Sequence, residues 1–202
     1  MKKLLLLMFL ISGCFMYFSC SKDEESVSDN KSFTECITQD EQINETLRVL
    51  KDFRTRTDLH PGDVTPEEAQ EILQPFIARG RAYQQMILTF CNSMQNHDLV
   101  SSEDIQAINL LTDEELVYTG LILDAWMGNV SPYVPENFEV SSQQLKSCLI
   151  GLLGIAAIED LIEKELTVKT AIQALKAVIG RTGNAIFVTV IVLEFIDCIT
   201  GS

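Results

Sequence analysis

Apolar side chains recur at steps of three and four along most of this chain, and the stops between those runs divide it into helices. Phe33 to about Arg56 carries Cys36, Ile43, Leu47, Leu50 and Phe53 in that register, predicting one amphipathic helix closed by the turn residues His60-Pro61-Gly62-Asp63. Thr65, Pro66, Glu67 and Glu68 supply an N-cap, a proline at the first helical position and acids that complement the helix dipole. The series Ala69, Leu73, Phe76, Gly80, Tyr83, Ile87, Phe90 and Met94 predicts a long helix from there, bent at Pro75 where a backbone donor is missing and ended by Asn96-His97-Asp98. Ser102 opens a shorter helix to about Leu111, and Thr112 with Glu115 makes a capping box for the next, which runs to Met127 before Gly128 and Asn129. Val130 to Val140 holds Pro132 and Pro135, has no helical period and is the longest loop, so residues 128–141 are the candidate internal boundary.

Ser141 with Gln144 makes a second capping box, and the helix after it carries Leu145, Cys148, Leu149, Leu152, Leu153, Ala156, Leu161 and Ile162. Thr167 caps a helix to about Ile179, Gly180-Arg181-Thr182-Gly183 interrupts it, and Ala185 to Ile199 is apolar nearly all round, the mark of a buried helix. Phe187 to Val192 is β-branched enough to compete for strand. The expected fold is all-α: a single bundle of six or seven helices over residues 33–202, with a carboxy-terminal apolar helical hairpin.

That hairpin, residues 148–199, has two readings. Gly151 with Gly154 and Gly180 with Gly183 sit three apart in apolar surroundings, where missing side chains let helices approach closely. The stretch is either the core of a soluble bundle, with the glycines as packing notches, or a segment that inserts into a target bilayer. Lys176, Arg181, Glu194 and Asp197 weigh against insertion, because each charge at mid-membrane costs about 2.5–3.5 kcal/mol. Spacing also speaks to the cysteines. Cys148 to Glu163 and Gly183 to Cys198 are equal steps, roughly 22 Å of helix, so antiparallel packing sets Cys148 beside Cys198. Folding about His60 to Asp63 likewise sets Cys36 near Cys91. Two disulfides are expected, Cys36 with Cys91 and Cys148 with Cys198.

The amino-terminal residues give an address. Lys2 and Lys3 precede the apolar run Leu4 to Ile11, and a small residue precedes a cysteine at the expected cleavage point. Residues 4–18 fall short of the roughly 20 apolar residues of a membrane span and are interrupted by Ser12 and Gly13. The stretch resembles the signal of bacterial lipoprotein precursors processed by signal peptidase II, which implies an acylated cysteine. Ile11-Ser12-Gly13-Cys14 competes for the role with Tyr17-Phe18-Ser19-Cys20. Cys20 is preferred because polar and acidic residues follow it, whereas Phe15 to Phe18 follow Cys14. Ser21, Lys22, Asp23, Glu24 and Glu25 are similar to the surface-export motif of Bacteroidetes lipoproteins. The resemblance implies a signal over residues 1–19, an acylated tether over 20–32, and an outer-membrane location on the cell surface or the periplasmic face.

Charge narrows the partners. Removing Lys2 and Lys3 with the signal takes the net charge from −14 to −16, which excludes nucleic acid as a natural partner and leaves the lipid on Cys20 as the membrane contact. Catalytic signals are sparse: His60 and His97 read as surface residues, and no metal-binding pair, P-loop, nucleophile elbow or dinucleotide fingerprint occurs. No cofactor or metal is expected. Glu194 and Asp197 share a helix face and are expected to meet Lys169, Lys176 or solvent at the bundle's edge, while Glu67-Glu68 and Asp113-Glu114-Glu115 are first-turn acids. Trp126, Tyr133 and Phe138, with Tyr118 nearby, make the candidate contact surface for an unknown protein or glycan. The expected role is non-catalytic binding or envelope assembly; the alternative is a surface-displayed antibacterial protein that perturbs membranes through residues 148–199.

Overall fold

The structure is a computed structural model, and it describes residues 29–45, 64–93, 100–129, 140–154, 156–181 and 183–200. The described residues are all-helical: α1 (Asp29–Gln39), α2 (Pro66–Ser93), α3 (Ser102–Asn109), α4 (Asp113–Met127), α5 (Ser142–Leu153), α6 (Ala156–Ile162), α7 (Val168–Val178) and α8 (Ala185–Thr200). Residues 41–45 are helical as well. This exceeds the expected six or seven because two long periodic runs are broken. The first break is at Asp40, whose side chain accepts from the Ile43 amide at 2.8 Å and so restarts the chain as an N-cap does. The second is at Gly154, which ends α5 in the left-handed region at φ 58°.

Capping chemistry explains the other starts. Thr65 and Glu68 exchange hydrogen bonds at the head of α2, at 2.9 and 3.3 Å, and donation to the Glu68 carboxyl, from the Thr65 amide first and its side chain second, holds it below the usual carboxylate range. Thr112 with Glu115 and Thr167 with Thr170 form full capping boxes. Ser141 accepts from the Gln144 amide, but the Gln144 side chain reaches across to the Ile199 carbonyl at 3.2 Å, so only half of that box forms. The β-branched run Phe187 to Val192 is helical within α8, which buries Val188, Val192, Phe195 and Ile199. Among the described residues no helix is long and apolar enough to cross a membrane.

The centre of the bundle is the crossing of α2 and α4. A Cβ built on Gly80 would stand 1.8 Å from the Leu116 carbonyl oxygen, and one on Gly120 would lie 3.3 Å from the Gly80 amide nitrogen. These are the packing notches of the fold. Gly151 and Gly154 are not, since a Cβ on either meets nothing within 4 Å, and Gly180 at φ 76° serves a turn. Around the crossing, the Thr189 hydroxyl of α8 lies 3.4 Å from the Ala69 carbonyl, and the Gln84 side-chain amide donates to the Ile108 carbonyl at 2.6 Å.

Cys148 and Cys198, the pair that helix counting sets side by side, are bonded across 50 residues and tie α5 to α8. The second expected pair is not formed: Cys36 and Cys91 remain thiols. Their surroundings do meet, because Phe33 packs edge-on against Phe90 with ring centroids 5.1 Å apart. The expectation rested on an unbroken helix from Phe33 to Arg56, and the break at Asp40 removes that rigid count. Burial raises the Cys91 thiol pKa.

Candidate functional site

The best-defined polar constellation is interior. Arg79 and Asp124 are both fully buried, and Arg79 Nε donates to the two Asp124 oxygens at 3.1 and 3.0 Å while Nη2 also donates to Oδ1. The guanidinium also donates to the Tyr83 hydroxyl at 2.6 Å and the Ile43 carbonyl, and lies 4.5 Å from the centre of the Tyr83 ring. Tyr83 in turn donates to Asp124 Oδ1 at 2.5 Å. Burial, with the Asp124 carboxylate adding to it, pushes the Tyr83 phenol well above the usual tyrosine range. No side chain of this set meets solvent, so it fixes α2, α4 and residue 43 together instead of meeting a ligand.

Surface chemistry gathers at one end. Tyr118 of α4, Leu152 and Leu153 of α5, and Phe187 and Ile191 of α8 line a groove of about 320 Å³, closed by the turn at Gly180 and Arg181. One carboxylate shapes its rim. Glu115 accepts from the Thr112 amide at 2.8 Å with one oxygen and from the Gly180 amide at 2.6 Å with the other, so the cap of α4 also holds the turn after α7. Burial raises the Tyr118 phenol, an effect the nearby Arg181 charge opposes. The largest exposed apolar side chains among the described residues stand at this end: Leu110 at 70% exposure before the α4 cap, Ile179 at 40% beside the turn, and Phe187 at 54% over Gly183.

The opposite end receives the amino-terminal helix. The Thr34 hydroxyl of α1 lies 3.4 Å from the Leu166 carbonyl, just before α7, and Trp126 Nε1 donates to the Lys164 carbonyl at 2.9 Å. Trp126, the described member of the candidate contact surface, is half-buried against the core there, while Tyr133 and Phe138 lie outside the described residues. So do Cys14, Cys20, His60 and His97. Glu194 is exposed and Asp197 half-buried, and Lys176 pairs with Asp104 of α3 at 2.5 Å instead of with either. Asp113 pairs with Arg81 at 2.7 Å. Among the described residues no three acidic, histidine or cysteine side chains gather as a metal site would require. No protein-family model, curated protein or solved structure matches the chain.

Sequence reading missed the groove because its lining comes from three helices and a turn. Two signals were present: Phe187 stands at the head of an otherwise buried helix, and Arg181 sits between glycines beside apolar runs.

Proposed function

We propose that this chain is a lipid-anchored binding or envelope-assembly protein of the outer membrane, acylated at Cys20 and presenting the groove end of its helical domain to a partner. One observation carries the reading: the amino-terminal helix seats at the Leu166 end of α7, and the groove opens at the Gly180 end. The 11 residues of α7 separate them by about 16 Å. A tethered binder needs its contact face turned from the membrane, and the exposed Leu110, Ile179 and Phe187 stand at that far end. In this reading residues 148–199 are an apolar hairpin that serves as core, supported by the buried face of α8 and the Cys148–Cys198 bond.

The test is photo-cross-linking in intact Bacteroidetes cells, with the photoreactive residue placed at Phe187 or, as control, at exposed Glu163 beside Lys164. A discrete adduct from position 187 and none from 163 is the expected result. Adducts from 163 alone would sink the reading. Radiolabelled palmitate should enter the Cys14→Ala chain and not the Cys20→Ala chain. Dye release from liposomes at micromolar protein would put membrane perturbation by residues 148–199 in place of binding.

A further inference from the structure

We propose that the groove is a binding site for an aliphatic carboxylate, whose chain lies along Leu152, Leu153, Phe187 and Ile191 and whose carboxylate is taken by Arg181 and the Tyr118 hydroxyl. The proposal rests on the reading of the groove end as the binding face and names the chemistry that face accepts.

Sorting of the lining is the first ground. Apolar side chains form the floor, and the polar ones, Tyr118 and Arg181, belong to neighbouring elements close enough for the Arg181 charge to act on the Tyr118 phenol. Pockets that bind small molecules combine an apolar lining with few polar groups in this way, and about 320 Å³ lies at the small end of their range of about 300–1,000 Å³. A medium-length chain is the matching size.

Unused hydrogen-bonding capacity is the second. Tyr118 is only 3% exposed, and because no enclosed side-chain oxygen among the described residues lacks a partner, its hydroxyl, which bonds none of them, is the part that opens to solvent. A phenol so placed keeps one donor for whatever enters the groove.

Charge complementarity is the third. Arg181 is the one charged residue among those lining the groove, and it makes no ion pair among the described residues. Two of the nearby acids are engaged elsewhere, Glu115 holding the Thr112 and Gly180 amides and Asp113 holding Arg81, while Glu114 stays near enough to act on the Tyr118 phenol. In a chain of net charge −14, a guanidinium without an ion-pair partner beside an apolar floor is where an anion gains most, and its planar fork suits a carboxylate. A single negative charge is favoured over several, since Glu114 also acts on Tyr118. The groove lies at the end away from the tethered helix, which favours a free carboxylate over a lipid still packed in the anchoring membrane.

Isothermal titration of the mature chain, residues 20–202 with Cys20→Ser so that no acyl group competes, tests this with decanoate as probe and decylamine and decanol as charge controls. Saturable one-site binding of decanoate is expected, with decylamine at least tenfold weaker. Arg181→Gln should weaken decanoate at least tenfold, Arg181→Lys should fall between, and Glu163→Gln, exposed at the opposite end of the bundle, should leave affinity unchanged. Amide NMR shifts on adding decanoate should cluster at residues 118, 152–153, 180–181 and 187–191, which a fold-disrupting variant could not mimic. No saturable binding at millimolar decanoate, equal binding of decylamine, or an unchanged affinity in a folded Arg181→Gln chain would each overturn the proposal. A partner adduct at position 187 without decanoate binding would retain the binding face and remove this ligand.

Discussion

Replacing Arg79 by Met is the most demanding test of how this fold is held. The side chain is fully buried, and its guanidinium serves Asp124, Tyr83 and the Ile43 carbonyl at once. Removing it leaves the Asp124 carboxylate charged and buried with its main counter-charge gone. Breaking such a pair costs about 3–5 kcal/mol, a large part of the roughly 5–15 kcal/mol that stabilises a domain. With a urea dependence of about 2 kcal/mol per molar, the unfolding midpoint should fall by about 1.5–2.5 M, read from helical circular dichroism. Asp124→Leu should cost a similar amount, because it strands the cation instead. The double variant, Arg79→Met with Asp124→Leu, removes both charges and should recover more than about 1 kcal/mol over the weaker single, since an apolar replacement has no desolvation penalty to offset. A loss below about 1 kcal/mol in either single variant, or a double variant no more stable than the weaker single, would refute the reasoning.

Gly80→Ala should destabilise by about 3 kcal/mol, since its Cβ would stand 1.8 Å from a backbone oxygen, whereas Gly120→Ala should cost only about 1 kcal/mol; thermal melts rank the two. Replacing Cys148 and Cys198 by Ser opens a loop of 50 residues and should cost about 4 kcal/mol, measured as the difference in unfolding midpoint from the oxidised protein. Asp104 titrates below the ordinary aspartate range because Lys176 donates to it, so its contribution is present above the unfolded pKa and lost as pH falls through the lower folded one. Lys176 is raised by the same bond, so its contribution holds below its unfolded pKa and disappears as pH rises through the folded one. The stability difference between the native chain and Asp104→Asn should therefore vanish at both extremes, and a difference that persists below the aspartate range would contradict the pairing.

Local chemistry was the legible part of this fold. Thr65, Thr112, Ser141 and Thr167 each begin a helix where side-chain oxygen and spacing predict one, because capping is settled within four residues. The breaks at Asp40 and Gly154 were hidden, since apolar periodicity continues through both and only the capping geometry shows the stop. Arg79 and Asp124 were illegible for another reason. They stand 45 residues apart, and nothing local tells a charge on an apolar face from one that curls out to water. Their one signal is position: Arg79 lies three after Phe76 and four before Tyr83, and Asp124 interrupts the apolar run from Leu121 to Trp126. The groove was illegible because Tyr118, Arg181 and Phe187 come together only once Glu115 has fastened the turn at Gly180.

The crossing of α2 and α4 also acts as a vernier. Helices that meet only through aliphatic side chains can slide by a turn, about 5.4 Å, and find new ridges and grooves of nearly equal quality. Here a slide of that size would drive the Gly80 notch away from the Leu116 carbonyl and part Arg79 from Asp124 in the same motion. Shape and charge therefore agree on one alignment, and no neighbouring one satisfies either. The pair thus selects among otherwise interchangeable packings of the bundle, which is a separate service from any stability it adds.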